Sequence, residues 1–93
     1  AMKKLLVICG DKEYAFDIDN AEFEILNDEY PYDCDDDEFD DNEFAEFMCE
    51  IDDSVADIIK DHEAFSNVDF DDTHIQYYIA RDNYDIVVNL IIF

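Results

Sequence analysis

Glycine and proline occur only once each in this chain of 93 residues. One glycine excludes the glycine-rich loops that bind phosphates in nucleotide-dependent enzymes. The composition is equally unlike that of a flexible linker or a low-complexity tail. Lysine and arginine together number 5, against 28 aspartates and glutamates, so the formal net charge is −23. We therefore exclude a chain that itself binds nucleic acid through a basic surface.

Cysteine and histidine spacings typical of metal sites are also missing. The cysteines Cys9, Cys34 and Cys49 are odd in number and widely separated, and no secretory signal or membrane-length apolar run precedes them. This pattern predicts reduced thiols in a cytoplasmic protein without membrane association. His62 and His74 lie in different predicted elements, without the spacing of metal ligands. We expect no enzyme activity, no metal site and no cofactor.

Apolar residues are plentiful in spite of the charge. They make up 49% of the chain and include 8 phenylalanines and 6 tyrosines. Disordered chains combine high charge with low hydrophobicity, whereas these residue types build cores. The composition therefore predicts one compact acidic domain over residues 1–93, in which core formation overcomes charge repulsion.

The first third of the chain predicts a β-hairpin followed by a short helix. Residues 5–9 form a continuous apolar run, and apolar residues alternate with others over residues 14–18. Two such segments separated by a glycine-containing turn are typical of a hairpin. Asp19 or its neighbour can cap a helix that ends at Leu26, because Glu22 stands in the capping-box position.

The middle of the chain predicts an acidic loop and then a long helix. Residues 29–41 contain Pro31, which favours extended backbone before it, and the densest run of like charges. We expect this loop to be extended and mobile. Apolar residues at three- and four-residue spacing predict a helix over about residues 42–60. A break is possible near residues 52–54, where Ser54 could cap a second helix.

The last third predicts two strands, over residues 74–80 and 84–93, joined by a tight turn at residues 81–83. The expected architecture is α+β in the order β-β-α-α-β-β, with a small antiparallel sheet backed by one short and one long helix. The C-terminal strand is strongly apolar. If it lies uncovered at a sheet edge, it could pair with a second copy in a homodimer.

The acidic residues of the long helix recur with helical periodicity. Spacings of three, four, three and four residues place five of them in one stripe, opposite the apolar face. An ordinary exposed face mixes charges of both signs, whereas this one has no lysine or arginine. We call Glu43, Glu46, Glu50, Asp53 and Asp57 the acidic stripe.

The acidic loop and the acidic stripe together form the predicted partner-binding surface. Two tyrosines that flank the proline, Tyr30 and Tyr32, are included as candidate interface anchors, although such residues also serve as half-buried core edges. The loop and the helix start contribute Asp33, Asp35, Asp36, Asp37, Glu38, Asp40 and Asp41.

The charge density suggests the nature of the partner. Duplex DNA carries one charge per roughly 1.7 Å of axis, so 23 charges correspond to about 40 Å of duplex. The run between Glu13 and Ile59 contains 20 acidic residues without a single basic one, and aromatics are interleaved with acids around Phe39, Phe44 and Phe47. In these features the chain resembles the acidic DNA-mimic inhibitors of phages and mobile elements, which include anti-CRISPR and anti-restriction proteins.

The resemblance implies a stoichiometric inhibitor, active in the cytoplasm of the host bacterium. Its expected partner is a basic nucleic-acid-binding protein, foremost a CRISPR effector nuclease, for which it competes with DNA. Three alternatives remain: an acidic binder of another basic protein, such as a histone-like protein, a toxin or a restriction enzyme; an ordinary solvated face; and a weak divalent-cation binder. An EF-hand starting at Asp33 fails, because Glu38 and Phe44 stand where glycine and glutamate are required.

Overall fold

A computed structural model describes residues 2–70, 73–78 and 83–92, with the backbone alone described for residues 73–78 and 92. The elements bounded within these residues are four strands, two α-helices and a 3-10 turn. The α+β class predicted from the sequence is confirmed. The elements are β1 (Lys3–Cys9), β2 (Lys12–Ile18), α1 (Asn20–Leu26), α2 (Asp41–Ile59), the 3-10 turn (Glu63–Phe65), β3 (Thr73–Tyr78) and β4 (Ile86–Ile92).

The predicted N-terminal hairpin is confirmed. β1 and β2 pair in antiparallel register, from Lys3 opposite Ile18 to Cys9 opposite Lys12. Gly10 in the connecting turn has φ of 65°, a left-handed conformation that side chains with a Cβ rarely adopt. The one glycine of the chain therefore stands where the backbone needs it.

The four strands form one mixed sheet in the order β2-β1-β4-β3. The outer pairs are antiparallel, as expected. The central pair is parallel, with Leu5 opposite Ile86, so the expectation of a wholly antiparallel sheet is wrong. The helices connect β2 to β3 at the opposite edge of the sheet, and β4 then turns back between β3 and β1, parallel to β1. Hydrophobic periodicity carries no information about strand direction.

β4 occupies the middle of the sheet. It pairs with β1 on one side and with β3 on the other. Val87 and Val88 point to opposite faces and are both fully buried, which accounts for a strand that is apolar at every position except Asn89. Over residues 87–89, β4 pairs with a strand on each side, so the uncovered edge on which homodimer pairing was conditional is not present there.

The predicted turn between β3 and β4 falls partly outside the described residues, as do the predicted strand residues 79–80 and the final residue. Asn83 is described, and its φ of 73° is left-handed. Asparagine tolerates this conformation better than most residues do. The antiparallel pairing of β3 with β4, with Thr73 opposite Ile92, is confirmed.

The short helix α1 begins with the predicted capping box. The Asp19 carboxylate accepts a hydrogen bond from the Glu22 amide at 2.7 Å, and the Glu22 carboxylate accepts one from the Asp19 amide at 2.9 Å. These bonds satisfy backbone donors that a helix start would otherwise leave free. The Lys3 ammonium lies 5.0 Å from the Phe23 ring centre and links β1 to α1.

Helix α2 is continuous over its 19 residues. The break considered possible at residues 52–54 is absent, and the Ser54 hydroxyl donates to the Glu50 carbonyl at 2.9 Å instead of capping a second helix. Three residues on its apolar face, Ile51, Val55 and Ile59, are buried in the core between the helices and the sheet. This packing fixes which face of α2 is presented to solvent.

Candidate partner-binding surface

The acidic stripe lies on the solvent side of α2, and each of its five carboxylates is exposed. Glu43 and Asp57 are fourteen residues apart, which corresponds to about 21 Å along a helix axis. The stripe is therefore held on a rigid element, opposite the buried apolar face. This arrangement agrees with the spacing predicted from the sequence.

One cation meets the acidic stripe at its C-terminal end. The Lys60 ammonium lies 3.2 Å from the Asp57 carboxylate, and both side chains are more than half exposed. The expectation that no lysine approaches this face is therefore wrong at one position. Lysine near a helix C-terminus also interacts favourably with the helix dipole. The other four stripe residues have no lysine or arginine within the helix.

The acidic loop is folded into turns. The Asp36 amide donates to the Asp33 carbonyl at 2.9 Å, and the Asp36 carboxylate accepts from the Asp33 amide at 3.0 Å. The Phe39 amide then donates to the Asp36 carbonyl at 3.1 Å. The expectation of an extended loop is wrong, because side-chain and backbone bonds of this kind stabilise turns. Its mobility stays a prediction. All of the predicted loop carboxylates are exposed.

An aromatic cluster connects the acidic loop to α2. The Tyr30 ring packs against four other rings, with centroid separations of 5.3 to 5.9 Å. Separations of this size, mostly with edge-on geometry, are favourable for aromatic pairs. Tyr30 and Tyr32 are half-buried, and each contributes to the packing of the loop. The other members of the cluster are Phe39, Phe44 and Phe47.

The three phenylalanines are not among the binding residues predicted from the sequence, where they stand out only as aromatics interleaved with acids. The available signal was the recurrence of aromatic residues over residues 30–47, where the other apolar residues are Pro31, Cys34 and Ala45. Phe44 remains 37% exposed, so the cluster also contributes to the surface.

The Tyr30 hydroxyl joins the acidic loop to the first turn of α2. It donates to the Glu43 carboxylate at 3.3 Å and accepts from the Asp40 amide at 3.4 Å. The Asp40 carboxylate in turn accepts from the Asn42 and Glu43 amides, at 2.9 and 3.2 Å. Asp40 is thus both a predicted binding residue and the N-cap of the helix.

The pKa values of Tyr30 and Tyr32 are both raised above their usual value. For Tyr30, burial of the hydroxyl is the largest cause, and the Glu43 carboxylate adds to it against the opposing effect of the Asp40 amide. For Tyr32, the hydrogen bond with Glu38 is the largest cause, followed by burial. Both phenols therefore keep their protons, and with them their hydrogen-bond donors, to a higher pH than an ordinary tyrosine does.

A groove of about 820 Å³ lies beside the aromatic cluster. It runs between the start of the acidic loop, the N-terminal half of α2 and the start of β4. Asp85 also lines the groove, and its carboxylate accepts from the Lys4 amide at 2.8 Å while its amide donates to the Lys4 carbonyl at 2.9 Å. These two bonds attach the Asp85 side of the groove to β1.

In the described part of the chain, no group of three or more histidine, cysteine, aspartate or glutamate side chains is arranged to hold a metal ion. None of the described helices is long and apolar enough to cross a membrane. No protein-family model, curated protein or solved structure matches this chain.

Proposed function

We propose that this protein is a DNA-mimic inhibitor that occupies the basic nucleic-acid-binding cleft of a host-defence complex. The observation that carries the proposal is the exposed acidic stripe of α2, continued by the carboxylates of the acidic loop. Like charges at these spacings destabilise a helix. A surface that keeps them in spite of this effect is better explained by a cationic partner than by solubility.

The dimensions of the molecule support mimicry of a duplex. Its longest axis is 43 Å, and duplex DNA of that length carries about 25 charges at one per 1.7 Å. The formal net charge of the protein is −23. A cleft that accommodates about one turn of DNA would therefore encounter, on this protein, a total charge and a length similar to those of the duplex.

The proposed mechanism is stoichiometric occlusion. Arginine and lysine side chains that normally contact phosphates would pair with the carboxylates of the acidic stripe, in charge-assisted hydrogen bonds. Because the stripe lies on a helix packed against the sheet, these carboxylates are already arranged before binding, which lowers the entropy lost on association. A CRISPR effector nuclease is the foremost candidate target, and no chemical step by the inhibitor is required.

Affinity capture from nuclease-treated lysates of bacteria that carry CRISPR and restriction systems tests this proposal. The bait is the wild type or a stripe variant in which Glu43, Glu46 and Glu50 become glutamine and Asp53 and Asp57 become asparagine. The expected result is one nuclease that the wild type recovers and the stripe variant does not. Titration of the purified partner with the wild-type protein should then displace bound labelled duplex DNA. Half of the DNA should be displaced near a ratio set by one inhibitor per DNA-binding site.

The matched control removes the same charges elsewhere. A variant with Glu13, Glu24 and Glu63 changed to glutamine and Asp11 and Asp61 changed to asparagine has the same net charge as the stripe variant. It should capture the partner as the wild type does. Equal loss in both variants, with many basic proteins recovered, would support a general acidic binder. If no partner is recovered in a charge-dependent way, the stripe is best interpreted as an ordinary solvated face.

A further inference from the structure

The groove beside the aromatic cluster combines an apolar floor with an acidic rim. Its floor is formed by residues of α1, α2 and β4. At about 820 Å³ it lies within the range of roughly 300 to 1,000 Å³ found for ligand sites, and is therefore large enough for several side chains. The apolar and sulfur-containing lining residues include Leu26, Phe47, Met48, Ile51 and Ile86.

The charge around this groove is of one sign. Four carboxylates line it, and among its described lining residues there is no lysine, arginine or histidine. A partner's apolar side chain can therefore reach the floor of the groove only if its neighbours in the partner are cationic or neutral. An acidic neighbour would be repelled by the carboxylates at the rim. The lining carboxylates are Asp28, Glu29, Asp33 and Asp85.

The aromatic rings on one side of the groove favour arginine over lysine as the cationic residue next to the partner's apolar side chain. Tyr30 and Tyr32 line the groove together with Asp33. A guanidinium group stacks on an aromatic face and pairs with a carboxylate through two parallel hydrogen bonds, whereas an ammonium group offers only a point charge. The combination of ring and carboxylate is therefore better suited to arginine.

The groove is continuous with the acidic stripe. The Tyr30 hydroxyl, whose ring lines the groove, donates to Glu43, the first residue of the stripe. A partner segment that crosses the stripe can therefore reach the groove without leaving the acidic surface. Charge complementarity alone would give broad attraction to basic proteins, and a shaped apolar floor adds selectivity among them.

From these contacts we infer that the groove binds an apolar side chain flanked by arginines, presented by the basic partner. The inference rests on the proposed function, because the partner is the same nucleic-acid-binding protein. It adds a feature that DNA does not have, since a duplex backbone offers charge without a comparable apolar pocket. Tyr32 and the floor residues would select among basic partners, and the acidic stripe would supply attraction.

A defined peptide tests the inference without the partner. The probe is an acetylated and amidated pentapeptide with a central leucine between two arginines. Two comparison peptides replace either both arginines by lysine or the leucine by glycine. Wild type should bind the probe about threefold to fivefold more tightly than either comparison peptide, the effect expected of an exposed cation–π contact or a partly buried side chain. Isothermal titration calorimetry measures the three affinities.

Charge-neutral and charge-matched variants locate the binding site. Tyr32→Leu should weaken probe binding about threefold or more. Tyr14→Leu, at a ring that packs against His62 and Phe65, should leave it unchanged. The pair Glu29→Gln with Asp33→Asn should weaken binding more than Asp11→Asn with Glu24→Gln, which removes equal charge outside the groove. Circular dichroism melts establish that each variant is folded.

A measurement on unaltered protein avoids dependence on any variant. Cys34 is exposed and lines the groove, whereas Cys49 is exposed but does not line it. Saturating probe peptide should slow the alkylation of Cys34 by N-ethylmaleimide and leave Cys49 unaffected, as read by mass spectrometry of digested protein. Equal affinities of the three peptides, equal loss in the matched variants, or unprotected Cys34 would overturn the inference.

The two proposals fail in different ways. The Tyr32→Leu variant is also used as bait for the nuclease from which the wild type displaces DNA. If this variant captures the nuclease as efficiently as the wild type does, the groove inference is wrong and the DNA-mimic proposal stands. If the probe peptide protects Cys34 but no captured protein depends on the acidic stripe, the groove binds as inferred and the DNA-mimic proposal is wrong.

Discussion

Asp40 combines a structural contact with a place in the candidate surface. Its carboxylate accepts hydrogen bonds from the Asn42 and Glu43 amides and so begins α2. Asp40→Ala should lower the free energy of unfolding by about 1 kcal/mol, within the usual range of about 0.5 to 2 for loss of an N-cap. Urea denaturation followed by circular dichroism measures the change.

Asp40→Asn separates capping from charge at this position. Asparagine caps a helix about as well as aspartate does, so this variant should be close to wild type in stability. If Asp40→Asn and Asp40→Ala lose equal stability, the contribution of Asp40 does not come from its cap. Wild-type stability in both variants would show that the first turn of α2 does not depend on these bonds.

The raised pKa values of Tyr30 and Tyr32 predict an alkaline loss of stability. The protonated phenol is favoured in the folded state, since the folded pKa lies above the unfolded value of about 10. The contribution is therefore fully present below about pH 10 and is lost as the pH rises through the folded pKa. Thermal melts between about pH 8 and pH 11 should show a falling Tm.

The variant with both Tyr30→Phe and Tyr32→Phe isolates this contribution, because it keeps the rings and removes the hydroxyls. Its Tm should fall less steeply than that of wild type over the same alkaline range. The two proteins have every other ionisable group in common, so the effects of those groups cancel in the comparison. Parallel pH profiles of the two proteins would contradict the assignment to this tyrosine pair.

At the scale of the element, α2 has two faces with opposite effects on stability. The buried face holds the helix against the sheet, whereas the acidic stripe contains four like-charge neighbour pairs at three- and four-residue spacing. Each such pair destabilises a helix by about 0.2 to 0.5 kcal/mol. The stripe variant should therefore unfold at higher urea, with a gain of about 1 kcal/mol after loss of the Asp57 contact with Lys60.

The matched variant with five charges removed elsewhere is the control for this gain. The matched variant lowers the net negative charge by the same amount but leaves the repulsion between neighbouring stripe carboxylates in place. Its gain in stability should therefore be smaller. A stripe variant less stable than wild type would show that these carboxylates stabilise the helix. Greater stability together with lost capture would instead show that the stripe is kept for binding at the expense of stability.

Local signals predicted the helices and the hairpin, because caps and hydrophobic periods act over a few residues. The Asp19 and Glu22 capping box and the turn at Gly10 are examples. The central position of β4 was not predictable in this way. It depends on pairing Leu5 with Ile86 across most of the chain, a contact that a local pattern does not encode.

The candidate surface divides in the same manner. Exposure of the acidic stripe followed from the period of α2, since the apolar residues on the other face must be buried. The aromatic cluster required knowledge of the turns at Asp33 and Asp36, which bring Phe39 back against Tyr30. The groove depends on both the fold of the acidic loop and the position of β4, so local sequence patterns do not predict it.

At the scale of the whole molecule, charge and size determine how salt acts. At about 0.01 M ionic strength the Debye length is about 30 Å, which is comparable with the 43 by 32 by 22 Å dimensions of the protein. Each carboxylate then repels carboxylates across most of the molecule. At about 1 M the screening length is about 3 Å, so only neighbouring groups still interact.

Sodium chloride should therefore stabilise this protein more than it stabilises ordinary domains. Between about 0.01 and 1 M, we expect relief of at least about 1 kcal/mol of repulsion, which raises the Tm by about 4 to 8 °C in a domain of this size. The stripe variant should show a smaller increase. Magnesium chloride at equal ionic strength gives the same increase if screening is responsible, whereas a larger increase with magnesium would indicate divalent binding by the acidic loop. An unchanged Tm would contradict a continuous acidic face, because its repulsion would then not oppose folding.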